Sequence, residues 1–167
     1  TVPEDGGEAH ISSLGARFAP DGGAIYLASL TESDPEFNAL AAWNIVRLDP
    51  ETGEESVVVP AGTAGKSTVP RFRPAISPDG RYLVFGERRE GMTQLKVMDL
   101  ESGAERSLVG VDPDMVLAAL TNDAIARYDF SADGKAVYVN RQGRIDLVPL
   151  EGGQVETVAF TAEISQD

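Results

Sequence analysis

Short apolar runs alternate with turn signals along most of the chain, most plainly from Arg73 to Leu108, RPAISPDGRYLVFGERREGMTQLKVMDLESGAERSL. Ser77-Pro78-Asp79-Gly80 suits a type I turn position by position: Ser takes a local hydrogen bond, Pro pre-sets φ, Asp tolerates the third place and Gly accepts the positive φ that closes it. Tyr82-Leu83-Val84-Phe85 follows as a run of β-formers, and beyond a polar tip, ERREGMT, the apolar positions resume at Leu95, Val97 and Met98. A second glycine turn, LESGAE, leads into Ser107-Leu108-Val109. The pattern predicts a four-stranded antiparallel meander.

The same order of turns and strands occurs three times. ARFAPDGGAIYLASL precedes AAWNIVRLDPETGEESVVV upstream, and ARYDFSADGKAVYVNRQGRIDLVPLEGGQVETVAF follows downstream. The first-turn aspartates Asp21, Asp79 and Asp133 lie 58 and 54 residues apart, and the second-turn glycines Gly53, Gly103 and Gly152 lie 50 and 49 apart. Length varies inside the repeat, at the middle hairpin, which is where blade-like repeats accept insertions. The prediction is an all-β chain: a partial β-propeller of three four-stranded antiparallel blades with a short helical connector. One propeller segment then covers 1–167, with blade 1 at about 12–61, blade 2 at about 70–110, a connector at 111–125 and blade 3 at about 126–160.

Two segments interrupt the strand rhythm. TESDPEFNALAAW, Thr31 to Trp43, reads as a loop or a single helical turn starting near Asp34-Pro35. In VDPDMVLAALTNDAIA, Asp112 can cap and Pro113 suits the first helical position, so a two-turn helix is predicted there, packed as a connector on a neighbouring blade.

Charge removes some functions. The formal net charge is −13, which opposes general affinity for nucleic acid or anionic lipid, and no apolar run is long enough to span a membrane. The chain starts at Thr1, so a targeting segment has been removed or the chain belongs to something longer. Cysteine is absent, which excludes disulfides and thiolate sites.

Motifs with chemistry are few. PAGTAGKST carries the Gly65-Lys66-Ser67 end of a phosphate loop, but Pro60 stands where its first glycine belongs, and Pro70 and Pro74 forbid the helix that should follow; it reads as a flexible connector. Asp112 and Asp114 have the spacing of two calcium ligands, yet Val116 and Leu117 occupy the next ligand and the turn glycine. His10, the single histidine, cannot build a zinc site or a hydrolytic triad alone. The acidic tips DPETGEE and DLESGAE are turn chemistry, since catalytic carboxylates need partial desolvation. No catalytic, cofactor-binding or metal-binding residue is assigned. Arg71, Arg73, Arg88, Arg89 and Arg127 are the residues of interest, because arginines near a propeller channel can hold carboxylates bidentately; ion pairs with the many acids account for them equally.

FRPAISPDGRYLVF, ARFAPDGGAIYL and YDFSADGKAVYV resemble the repeat of TolB-like, WD40-like (PD40) β-propellers, with their [FY]-S-P-D-G-[KR] hairpin and D-x-x-[ST]-G turn. Ala19 replaces the usual Ser in the first copy and Ala132 the Pro in the third; both keep the Asp-Gly core. TQLKVMDLESGAERSLV, the connector and GRIDLVPLEGGQVETVAFTAEISQD are further similar to the propeller portion of bacterial exported amidohydrolases. That resemblance implies a periplasmic or secreted protein in which this segment scaffolds and gates a metal-dependent barrel. Zinc or iron would sit in that associated domain, and no position here inherits its ligands. Propellers need about four to eight blades, so the expected partners are further blades and a catalytic domain on another chain, or a second copy of this chain. The alternative is a non-enzymatic TolB-like propeller that binds proteins, and whether the whole is an enzyme stays open at this point.

Overall fold

Each repeat is organised by its first turn. In the computed structural model, which describes residues 13–32, 42–64, 67–89, 92–111 and 126–161, the Gly80 N–H donates to the Ser77 carbonyl at 2.8 Å with Gly80 at φ 75°. The Ser77 hydroxyl donates to Asp79 Oδ1 (2.5 Å) and accepts the Tyr82 N–H (2.8 Å), so one buried side chain ties the turn to the strand that leaves it. Ser131 and Asp133 repeat the arrangement, with a hydroxyl to carboxylate distance of 2.7 Å. Asp49 and Asp99 close the second turn differently, their Oδ1 atoms accepting from the amides two and three residues ahead.

Between these turns run three antiparallel sheets. The first is β1 (Ser13–Phe18), β2 (Ile25–Glu32), β3 (Ala42–Leu48) and β4 (Glu55–Val59), in chain order. A small hairpin, β5 (Gly62–Ala64) with β6 (Ser67–Val69), leads to the second: β7 (Arg71–Ile76), β8 (Tyr82–Arg89), β9 (Met92–Asp99) and β10 (Glu105–Val111). The third holds β11 (Tyr128–Phe130), β12 (Ala136–Arg141), β13 (Arg144–Pro149) and β14 (Glu156–Thr157). The described chain is thus all-β, three four-stranded meanders of a partial propeller.

One apolar core joins the sheets. Trp43 and Ile45 from the first, Phe72, Leu83 and Phe85 from the second, and Tyr128, Val137 and Val148 from the third belong to a single buried cluster. The middle sheet is covered on both faces: Leu83 to Glu87 are buried in succession, as in strands sandwiched between layers. The third sheet alternates instead. Val137 and Val139 face the core, while Tyr138 and Asn140 on the other face are exposed. That open face is where a propeller would place its next blade.

Three sequence expectations change. Thr31–Glu32 and Ala42–Trp43 extend β2 and β3 rather than forming a loop, so the interruption shrinks; residues 33–41 lie outside the described residues. The connector after Pro60 is a paired hairpin, with Thr63 opposite Thr68, because Gly62–Ala64 and Ser67–Val69 satisfy one another's backbone groups. The tip ERREGMT is mostly strand: Glu87–Arg89 end β8, Met92–Thr93 begin β9, and Glu87 is 1% exposed. The predicted connector helix, with Asp112 and Asp114, lies outside the described residues, as do His10 and the Gly65-Lys66 pair.

The turns carry a pH signature. The Ser77 hydroxyl, then the Arg81 amide, hold Asp79 below the usual 3.8; Ser131 and the Lys135 amide do the same for Asp133. The Arg81 guanidinium, then the Ser102 amide, lower Asp99. Folded-state values below the unfolded value mean that this stabilisation is complete above about pH 4 and is lost as pH falls through the folded values. Thermal melts between about pH 2 and pH 7 are expected to show acid destabilisation confined to the range below about 4, with Ser77→Ala flattening part of it. A fall in melting temperature already complete at about pH 6 would contradict this assignment.

Candidate ligand-binding site

The first strands of the sheets, β1, β7 and β11, carry the residues that converge. A cavity of about 240 Å³ is lined by Gly15, Ala16 and Arg17 from the first sheet, Arg73 to Ala75 from the second, and Arg127 and Tyr128 at the start of the third. Three arginines from three repeats therefore share one space. In a propeller the central channel is where all blades present their inner strands.

A bulge sets two of these positions. Pairing of β1 with β2 shifts register between Leu14 and Arg17, and pairing of β7 with β8 shifts between Phe72 and Ala75. Gly15 and Arg73 occupy the same place in their repeats, six residues before the turn aspartate, and both are left-handed, at φ 66° and φ 50°. For glycine this conformation is free; for arginine it costs about 1–2 kcal/mol. The Tyr128 hydroxyl donates to the Arg73 carbonyl, so the third sheet's inner strand supports the strained residue.

The arginines differ in their company. Arg71 is buried, with Nη2 at 2.8 Å from Glu87 Oε2, an ion pair whose angle falls short of hydrogen-bond geometry, and Nη1 at 3.2 Å from Glu105 Oε2. Its guanidinium also lies 5.1 Å from the centre of the Phe85 ring. Arg89 sits 3.9 Å from Glu87, and Arg88 donates its backbone N–H to the Pro70 carbonyl. These belong to the second sheet's own framework. Arg73 and Arg127 do line the cavity, and Arg17 joins them. Among the described residues neither Arg17 nor Arg127 forms an ion pair, although the chain has 27 acidic residues to offer.

Sequence reasoning missed Arg17, although Ala16-Arg17-Phe18 and Ala126-Arg127-Tyr128 share a pattern. Counted back from the turn aspartate the two arginines are out of step by two residues, an even offset that keeps both on the strand face lining the same cavity. No group of three or more His, Cys, Asp or Glu side chains is arranged to hold a metal among the described residues. No described helix is long and apolar enough to cross a membrane.

No protein-family model and no curated protein sequence matches the chain. Solved structures do. TolB from Acinetobacter baumannii superposes with a TM-score of 0.57 at 22% identity over 89% of this chain and 32% of its own. A putative TolB from Agrobacterium tumefaciens gives 0.62 at 20% identity over 93% of this chain and 50% of its own. The β-propeller domain of the Trilobed protease from Pyrococcus furiosus gives 0.59 at 12% identity over 87% of this chain and 42% of that one. The chain thus spans half or less of these structures, and the likeness is one of fold: three blades of a WD40-like β-propeller of the kind seen in TolB.

Proposed function

We propose that these blades belong to a non-enzymatic, TolB-like propeller that binds a protein partner on the surface formed by its inner strands. The observation that carries this is the cavity where Arg17, Arg73 and Arg127 meet from three separate repeats. Arg17 and Arg127 form no ion pair among the described residues, and arginine forks suit recognition of a partner's planar groups. A periplasmic or secreted location and further blades to complete the ring are part of the same reading.

A second reading draws on the resemblance of the closing stretch, Phe160 to Ile164, to amidohydrolase propellers. There the same cavity would filter substrates for a barrel elsewhere in the protein that holds zinc or iron. Both readings place recognition at the inner strands.

Peptides selected from a random display library against the full chain provide the test, mapped by amide hydrogen exchange. Binders are expected to protect Ala16–Phe18, Ala75 and Arg127–Tyr128. Binders that protect only the outer strands β4, β10 and β14 would overturn the assignment of the binding face.

A further inference from the structure

We propose that the groove between the first turns of the first and second sheets takes a proline-rich segment of a partner protein, flanked by lysine or arginine. The two later sheets close their turns on each other: a Cβ at Gly134 would lie 3.2 Å from Cδ of Pro78. Gly80 stands at the same place one repeat earlier, just after the turn aspartate, and nothing lies within 4 Å of its Cβ position. The earlier junction therefore stays open, as a cavity of about 440 Å³. It shares no lining residue with the arginine cavity of the inner strands. A sheet already stands on each side of it, so no further blade claims it.

The walls combine apolar surface with hydrogen-bond donors. Pro20 and Pro78, both exposed, flank the groove from the two turns, and Ala19, Ala24 and Ile76 line it between them. Tyr26 is 9% exposed and belongs to the core cluster, yet its hydroxyl has no hydrogen-bond partner among the described residues. Arg47 lies opposite Tyr26 across β2 and β3. It forms no ion pair among the described residues, and its side chain makes one hydrogen bond, to the Gly23 carbonyl at 3.3 Å. A largely buried hydroxyl without a protein partner and a guanidinium with N–H groups to spare both gain from acceptors on a ligand.

A polyproline segment supplies acceptors without donors. Proline has no backbone N–H, its carbonyls make no internal hydrogen bonds, and its stiffness lowers the entropy lost on docking. An ordinary extended segment would also bring N–H groups, for which the lining side chains keep no untied carboxylate. Asp79 Oδ1 already accepts the Ser77 hydroxyl and the Arg81 N–H, and Asp21 Oδ1 accepts the Gly23 N–H. Both carboxylates still place their charge at the exposed rim, against Arg47 as the single cation of the lining, on a molecule of net charge −13. That balance draws a cationic flank and repels an acidic one.

The test titrates the full chain, by fluorescence polarisation, with a fluorescein-labelled Gly-Pro-Pro-Leu-Pro-Pro-Lys peptide, its Gly-Ala-Ala-Leu-Ala-Ala-Lys counterpart and a Gly-Pro-Pro-Leu-Pro-Pro-Glu version. The proline peptide ending in lysine is expected to bind at least about tenfold more tightly than either of the others. Tyr26→Phe is expected to weaken it by a factor of about five at an unchanged melting temperature, since the hydroxyl holds nothing within the protein, and Arg47→Gln to weaken it about tenfold. Equal binding of the proline and alanine peptides would overturn the polyproline assignment, and equal binding of the lysine and glutamate versions would overturn the cationic flank. Binding that both groove variants leave intact and Arg127→Gln removes would put the peptide at the inner strands and overturn the groove. Binding unaffected by all three variants, or binding by none of the peptides, would overturn it as well.

Discussion

Glu87→Ala is expected to destabilise the protein by about 3–5 kcal/mol, more than loss of an exposed ion pair could. The carboxylate is 1% exposed and faces several partners: Arg71 at 2.8 Å, Lys96 at 3.5 Å, and Gln94, whose Nε2 donates to Glu87 Oε1 at 2.8 Å. Removing it leaves Arg71 buried against Phe85 with only Glu105, which Lys96 also claims at 3.1 Å. Burial pushes the Glu105 carboxyl up, but Lys96 and Arg71 together hold it below its usual value, so it is already committed as an anion. At about 2–4 °C per kcal/mol for a chain of this size, the melting temperature should fall by about 10 °C. Paired replacement, Arg71→Met with Glu87→Leu, is expected to recover most of that loss, because both buried charges go together and the space stays filled. Circular dichroism melts of the two single variants and the double decide it. A Glu87→Ala variant that melts like the parent would show that water reaches this network and that its charges are not committed to the fold.

That network also shows where the sequence could and could not be read. The turn residues have few alternatives: Ser77-Pro78-Asp79-Gly80 and its two copies repeat because each residue meets a local backbone requirement, so the repeat, the strand order and the all-β architecture were legible. Glu87 was not. In ERREGMT five of seven residues are polar, and a polar run between two apolar ones reads as an exposed tip. What buries it is non-local: Arg71 lies directly opposite across β7 and β8, and Lys96 comes from β9. The same height in the other sheets is polar too. Eight residues after the turn aspartate stand Ser29, whose hydroxyl reaches Glu55 at 3.3 Å, and Arg141, paired with buried Asp146 at 2.9 Å. For the candidate site, Arg73 and Arg127 were visible as arginines near inner strands, but their separation from Arg71, Arg88 and Arg89 was not. Residues two apart in a strand point the same way unless a bulge intervenes, and the register shift between Phe72 and Ala75 falls at Arg73.

The bulge itself predicts the second large effect: Gly15→Val is expected to cost about 2–3 kcal/mol. Two terms contribute. At φ 66° a β-branched residue is held in the left-handed region that it most resists, and a Cβ there would lie 3.3 Å from the Cα of Arg73, backbone of the neighbouring sheet that cannot swing away as a side-chain end could. Gly53→Val separates the terms, since Gly53 has φ 74° with nothing within 4 Å of its Cβ position and should show the conformational cost alone, about 1–2 kcal/mol. Arg73→Gly runs in the opposite sense. It relieves about 1–2 kcal/mol of backbone strain against about 0.5–1 kcal/mol of added chain entropy, so any fall in its melt measures what the Arg73 side chain contributes through its own contacts. Chemical denaturation of the three variants measures all of this on one scale. If Gly15→Val and Gly53→Val cost the same, the first and second sheets do not approach as closely at their inner strands as the 3.3 Å contact requires, and Arg17 and Arg73 need not share a cavity. A larger loss at Gly15 ties the stability of the sheet junction to the bulge that borders the arginine cavity.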